Sequence, residues 1–328
     1  MRVHRRAVIA AVALSWAAGF STAEAAVRLR LSHHHAVGGH LDQTARKFKE
    51  LVETSTKGEV TVQIFPAGQL AQEREGIDQL DQGVLDMTIT SVALIDKHWK
   101  PIQVTSLPFV WKSWDAADRA VDGEVGKFIT EGVARNSSVQ ILGIIGGGFR
   151  DMIFRGDPVT SVEGMSGLRM RSPEAHLWIR MFELLKARPT PVTWGEIYTA
   201  MMTGVAAGLE APPLSVTDAK LHEVMKSAVL TQHMFLTYAI NINKRKFQSL
   251  SPELQKAVAE AARQTASWSN QYAKDANEKA YEQMRRAGVK IVEPQDRNAW
   301  AAAMRPLWDE MAKDPESQRL LALITAVQ

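Results

Sequence analysis

The sequence predicts a two-lobed α/β protein on three observations. At 328 residues, the chain exceeds what one hydrophobic core ordinarily serves, so two lobes are the default expectation. Short alternating or β-branched runs such as Val60 to Phe65 take turns with longer stretches of helical period, the pattern of strands feeding helices. Between two strand-like runs lies Gly146-Gly147-Gly148, permissive backbone suited to a flexible crossing from one lobe to the other.

Residues 1–25 read as an export signal. Arg2, Arg5 and Arg6 form a basic start, Ala7 to Phe20 an apolar stretch, and Ala23-Glu24-Ala25 an A-x-A cleavage site, so the mature chain begins at Ala26. No stretch reaches the roughly 20 apolar residues that span a bilayer, and a soluble protein outside the cytoplasm is expected. With no cysteine, neither disulfides nor lipid attachment at cysteine contribute, and stability rests on the core. Cleavage removes three of 39 basic and one of 36 acidic side chains, leaving 36 against 35. So even a balance argues against nucleic acid as a partner. Lys244-Arg245-Lys246 does not alter this, because three residues read as a solvated loop.

Taken in order, Val27 to Leu31 is a strand, Leu41 to Thr54 a helix ended by Gly58, and Val60 to Phe65 a second strand. His33, His34, His35 and His40 invite a metal reading, but no Glu or Asp constellation at ligand spacing accompanies them, and no metal is assigned. A polar loop at a strand's carboxyl end, or a ligand contact through His34 or His33, are the readings left. Pro66-Ala67-Gly68-Gln69-Leu70 opens a helix ending near Gly83. Glu73 in its first turn can accept hydrogen bonds from hydroxyls, although the helix dipole alone also favours an acid there. Leu85 to Thr90 is a buried strand with Ser91 at its end, Ser113 opens a helix, and Val139 to Ile145 is a strand. The glycines after it lack G-x-G-x-x-G spacing and precede a strand, so no dinucleotide site is assigned. An HGGG-type oxyanion loop would need a G-x-S-x-G elbow, which the sequence lacks.

Leu168 to Pro213 carries the densest signal. Leu168-Arg169-Met170-Arg171 alternates as a strand. Ser172 as N-cap and Pro173 at N1 then start a helix through Leu177, Met181 and Leu185, which delivers Arg171 to a helix N-terminus that favours an anion. Thr193-Trp194-Gly195-Glu196 has capping-box spacing, and Gly204 closes the helix that follows. Trp194 thus stands at a second strand-to-helix junction, where open α/β sheets hold ligands. Val229-Leu230 and Tyr238 to Asn243 read as returning strands, with His233 and Asn241 as rim contacts. Ser251-Pro252 opens a helical tract to about Arg286, roughly 50 Å long at 1.5 Å per residue. Further helices cover Trp300 to Trp308 and Ser317 to Ala326.

The blocks R-x-R-S-P, P-T-P-V-T-W-G-E-I-Y-T-A and T-G-V-x-x-G-L-E-A-P resemble, in order, the signature of DctP-type solute-binding proteins of tripartite ATP-independent periplasmic (TRAP) transporters. The resemblance covers essentially the whole mature chain. It implies a periplasmic binding protein fold with crossing hinge strands and a long helix bracing both lobes, residues 26–147 plus about 236–275 and residues 148–235 plus about 276–328. In the cleft, Arg171 is expected to clamp a carboxylate through two N–H···O bonds and Arg150, in the G-F-R block, to support it. Trp194 is expected to form a wall, with Glu73, Ser91, His34, Glu210 and the Ala211 position touching cargo.

Two departures bear on the cargo. Ala211 stands where many relatives carry Asn, and Ser91 where sialic-acid-binding relatives carry Glu, so sialic acid is not expected, while a uronate, a C4-type acid and a hydroxy or keto acid all remain. The implied partners are that organic acid and the small and large membrane subunits of a TRAP transporter. No cofactor, catalysis or nucleic acid is expected, and the protein is expected to act as a monomer. The competing reading is a secreted metal-dependent hydrolase built on His33 to His40, for which no nucleophile or acid pair has motif support.

Overall fold

A computed structural model describes residues 26–328, so the export signal expected at 1–25 lies outside the described residues. β1 (Val27–His33) pairs in parallel with β2 (Val60–Phe65) on one side and β3 (Met87–Ser91) on the other, connected by α1 (His40–Ser55) and α2 (Glu73–Asp81). α1 forms because Leu41, Ala45, Phe48 and Val52 share one fully buried face, and it stops where Gly58 turns left-handed at φ +83°. α3 (Trp114–Val121), capped by the Ser113 hydroxyl as expected, and α4 (Glu124–Asn136) lead into β4 (Val139–Phe154).

The second half contains β5 (Arg169–Ser172), α5 (His176–Leu184), β6 (Arg188–Pro191), α6 (Ile197–Thr203), β7 (Gly208–Ala211) and α7 (Pro213–Asp218). β8 (Ser227–Asn243) then returns antiparallel along the length of β4, followed by α8 (Lys244–Gln248), α9 (Pro252–Arg286), β9 (Lys290–Val292), α10 (Arg297–Met304), α11 (Pro306–Met311) and α12 (Pro315–Ala326). The strands join in the order β2-β1-β3-β8-β4-β7-β5-β6, with β9 beside β8. β4 and β8 therefore cross the middle and carry both halves. One buried cluster around Leu29, Phe48, Met87 and Ile240 fills the first half, and another around Ile153, Met201, Leu209 and Val216 fills part of the second. α9 packs on α1, β4 and α7, and so touches both. Among the described residues no helix is long and apolar enough to cross a membrane.

Several local expectations are corrected. The glycine run is not a loose crossing, because pairing with β8 continues through it with register shifts at Gly146/Gly148. A Cβ at Gly148, where φ is +116°, would meet the Asn277 side chain at 2.8 Å, and Asn270 Oδ1 accepts from Gly146 N at 2.6 Å. The glycines thus let α9 press against a bulged strand. Likewise Val229-Leu230 and Tyr238 to Asn243 belong to one strand, not two.

Ser172 does not cap a helix. It is still extended, paired beside Pro191, and α5 starts four residues later, because a residue before proline is pushed out of the helical region. At Thr193 the capping box is incomplete: its hydroxyl donates to Glu196 Oε2 at 3.1 Å without capping a backbone N–H, and Trp194 to Glu196 form a single 3₁₀ turn before α6. Lys244 to Lys246 are helical, not loop, since Asn243 Oδ1 caps Lys246 N at 3.1 Å and the Lys244 ammonium donates to backbone carbonyls of 134 and 137. Finally, α12 packs on α4, and Glu316 accepts from Trp99 Nε1 at 3.0 Å. The last helix therefore sits with the first half, whereas the sequence reading grouped it with the second.

Candidate functional site

The carboxyl ends of β1, β3 and β5 and the middle of β4 converge on a small cavity of about 30 Å³ walled by His34, Glu73, Ser91, Arg150, Arg171, Trp178, Trp194 and Tyr238. Six of the expected site residues therefore meet: Arg171, Arg150, Trp194, Glu73, Ser91 and His34.

Arg169 and Arg171 share a strand face, yet Arg169 is exposed while Arg171 is 3% exposed. Arg171 is not aimed at a helix N-terminus. Its Nε and Nη2 both donate to the Val192 carbonyl, at 2.9 and 2.7 Å, and its Cζ lies 5.6 Å from the Trp194 ring centroid. One edge of the guanidinium is thereby fixed, and the edge formed by Nη1 and Nη2 stays open. Among the described residues no carboxylate forms an ion pair with it. Burial, the largest influence, pulls the Arg171 pKa down to about 10, which leaves it a desolvated cation at neutral pH.

Arg150 is spent differently. Its Nε and Nη2 grip both carboxylate oxygens of Glu210, Nη2 also donates to the Glu210 carbonyl at 3.0 Å, and its Cζ lies 5.5 Å from the Trp178 ring centroid. Burial works against each charge, but the partner overrides it, raising the Arg150 pKa and lowering that of Glu210. Glu210 and Ala211, expected to touch cargo, do not line this cavity. Both are fully buried off the cavity wall, Glu210 turned to Arg150 and Ala211 paired with Asp151, while the adjacent Pro212 takes the wall position. His233 and Asn241 are fully buried rather than at a rim. His233 bonds Thr231 at 2.8 Å, and Asn241 donates to Thr90 Oγ1 at 3.0 Å.

Glu73 accepts from Ser91 N through Oε1 at 2.6 Å, and its Oε2 lies 3.6 Å from His34 Nε2. Burial raises its pKa. The histidines, for which the sequence displayed no acidic constellation, each meet a carboxylate from a different helix: His33 faces Asp42 at 3.5 Å, His34 faces Glu73, and His35 faces Asp218 at 3.7 Å. His35 also stacks on Trp194 with ring centroids 5.8 Å apart. Among the described residues no group of three or more His, Cys, Asp or Glu is disposed to hold a metal ion. Two contacts tie the halves across the cleft mouth, His40 N to Asp218 Oδ2 at 2.7 Å and Arg74 Nε to the Glu174 carbonyl at 3.1 Å.

These environments fix the sign of the pH response. Burial pushes His33 down to about 4 and His40 down to about 3 from 6.5, so the unfolded chain binds protons that the folded chain refuses. Their stability contribution is present above about pH 6.5 and is lost as the pH falls toward 4 and 3. Burial raises Asp151 to about 7 from 3.8, so its contribution is present below about pH 4 and is lost as the pH rises through 7. Burial holds His34 and His233 down as well, so the acid-side loss dominates. Thermal melts across pH 4–8 should peak near pH 6.5, with stability falling toward acid. Asp151→Asn should flatten the decline above the peak. Wild-type stability still climbing between pH 7 and 8 would contradict this balance.

The model of bacterial extracellular solute-binding protein family 7, DctP, matches residues 31–314. The chain belongs to that family. Among its relatives, the C4-dicarboxylate-binding periplasmic protein DctP of Rhodobacter capsulatus is 29% identical, over 98% of this chain and 97% of that protein. The 2,3-diketo-L-gulonate-binding periplasmic protein YiaO of Escherichia coli is 28% identical, over 98% and 99%. A TRAP periplasmic solute-binding protein from Roseobacter denitrificans, solved with bound β-D-glucuronate, superposes with a TM-score of 0.88 at 29% identity, covering 92% of this chain and 100% of that one. The family and the two-lobed α/β fold implied by the sequence blocks are thus borne out.

The DctP signature blocks contribute Arg171 and Trp194 to the cavity but not Trp178 or Tyr238, which sequence reasoning missed. Trp178 was hidden inside the apolar period of α5. The available signal was a tryptophan on that helix seven residues beyond Arg171, close to the cleft.

Proposed function

We propose that this protein is a periplasmic receptor that captures an organic acid, a uronate or a hydroxy or keto acid, and hands it to the membrane subunits of a TRAP transporter. The observation that carries the reading is Arg171, a buried guanidinium with an open edge on a cavity wall and no protein carboxylate to neutralise it. A buried charge is stable only when paired, and a cargo carboxylate on Nη1 and Nη2 supplies the missing partner through two parallel bonds. Arg150, already matched by Glu210, gives shape rather than charge. Trp194 covers the Arg171 face, and Glu73, Ser91 and His34 offer hydrogen bonds to the remainder of the cargo.

Residues 26–147 with about 236–275 form one lobe and 148–235 with about 276–311 the other, with α12 seated on the first. Closure about β4 and β8 buries the acid because cargo binds the closed form more tightly than the open one. The protein acts as an exported monomeric carrier without catalysis. Purified mature chain screened by thermal shift against an acid library tests this. Its hits should be carboxylic acids whose effect grows with concentration, by about 2.7 kcal/mol of stabilisation at 100 times Kd. A library in which only uncharged sugars or amines raise the melting temperature would overturn it.

A further inference from the structure

Among the described residues, the cavity wall contains one cation free to bind, Arg171, and one carboxylate without a cationic partner, Glu73, since Arg150 and Glu210 neutralise each other. A cargo with one carboxylate balances Arg171. A second carboxylate would find no further cation in a desolvated space and would face Glu73, a like-charge contact of the kind that partners are rejected by. Glu73 instead needs a donor, and a hydroxyl supplies one. Trp178 is 2% exposed and its indole Nε1 is buried without an acceptor, although the side chain lines the cavity. A buried donor without a partner is costly, so the wall calls for an acceptor oxygen on the cargo.

Resting on the reading of Arg171 as the clamp, we propose that the site selects hydroxylated or oxo monocarboxylates and rejects dicarboxylates. Glu73 is the excluding charge, and the Trp178 indole N–H is the donor that reads a cargo oxygen. This sets the chain apart from what the name of its Rhodobacter capsulatus relative says that protein binds.

The test is calorimetric titration of the wild type, Glu73→Gln, Trp178→Phe and Arg171→Ala with D-glucuronate, D-galactonate, succinate and L-malate. The wild type should bind the best sugar acid about 100-fold more tightly than either dicarboxylate. Glu73→Gln should shrink that ratio at least about tenfold by admitting the dicarboxylates. Trp178→Phe should weaken the sugar acid about fivefold more than succinate, whereas mere loosening of the core would weaken both alike. Succinate or malate binding the wild type as well as the sugar acids, or an unchanged ratio in Glu73→Gln, overturns the selection while Arg171→Ala still reports on the clamp. An equal fall for both cargoes in Trp178→Phe removes that residue's assignment. If no acid binds the wild type, the clamp reading fails and the selection fails with it. Should Glu73→Gln not fold, the wild-type ratio alone decides.

Discussion

Arg171→Ala is expected to weaken acid binding sharply in a thermal-shift or calorimetric assay. Truncating one partner of a buried, hydrogen-bonded charge pair costs about 2–5 kcal/mol, so affinity should fall by about 30-fold to several thousand-fold. The unliganded variant should nonetheless be at least as stable as the wild type. In the empty protein Arg171 is a desolvated cation with only the Val192 carbonyl for company, and removing it relieves that burden. Opposite signs for binding and stability separate a clamp from a structural arginine. Arg171→Lys should fall between, because an ammonium keeps the charge but loses the two-pronged geometry. An alanine variant that binds acid with near wild-type affinity, or that unfolds, contradicts the assignment.

Glu210→Ala should be the most destabilising single change at the site. It strands the Arg150 guanidinium, 4% exposed, without its carboxylate. Breaking a buried pair from one side costs about 3–5 kcal/mol, which for a chain of this size lowers the melting temperature by about 5–8 °C. Glu210→Gln keeps the shape and one acceptor and should lose about half as much. A melting temperature within about 2 °C of wild type in the alanine variant would mean that the pair does not hold this strand junction together.

The parts of the fold that were legible in the sequence are those governed by local period and local caps. α1 and α9 announced themselves by a buried stripe and by Ser251-Pro252, and β2 by strict alternation. The parts that were not legible depend on tertiary neighbours. The glycine run looks like a hinge in isolation, and only the approach of Asn270 and Asn277 from α9 shows it to be a bulged strand. Ser172 carries a good capping side chain, yet Pro173 keeps it extended.

At the site, Arg171, Arg150, Trp194, Glu73, Ser91 and His34 were found because signature blocks or strand ends marked them. Glu210, read as a cargo contact from its signature block, grips Arg150 of another block, a pairing that no spacing in the sequence announces. The acids facing His33, His34 and His35 come from α1, α2 and α7, so no sequence spacing could have joined them.

A crystal structure of the protein loaded with its tightest acid measures the clamp directly. The expected result is a cargo carboxylate about 2.7–2.9 Å from Nη1 and Nη2 of Arg171, with Val192 still holding the opposite edge and Trp194 over the guanidinium face. A cargo bound in the cleft with its carboxylate on another residue, and the open edge of Arg171 facing only water, would contradict it.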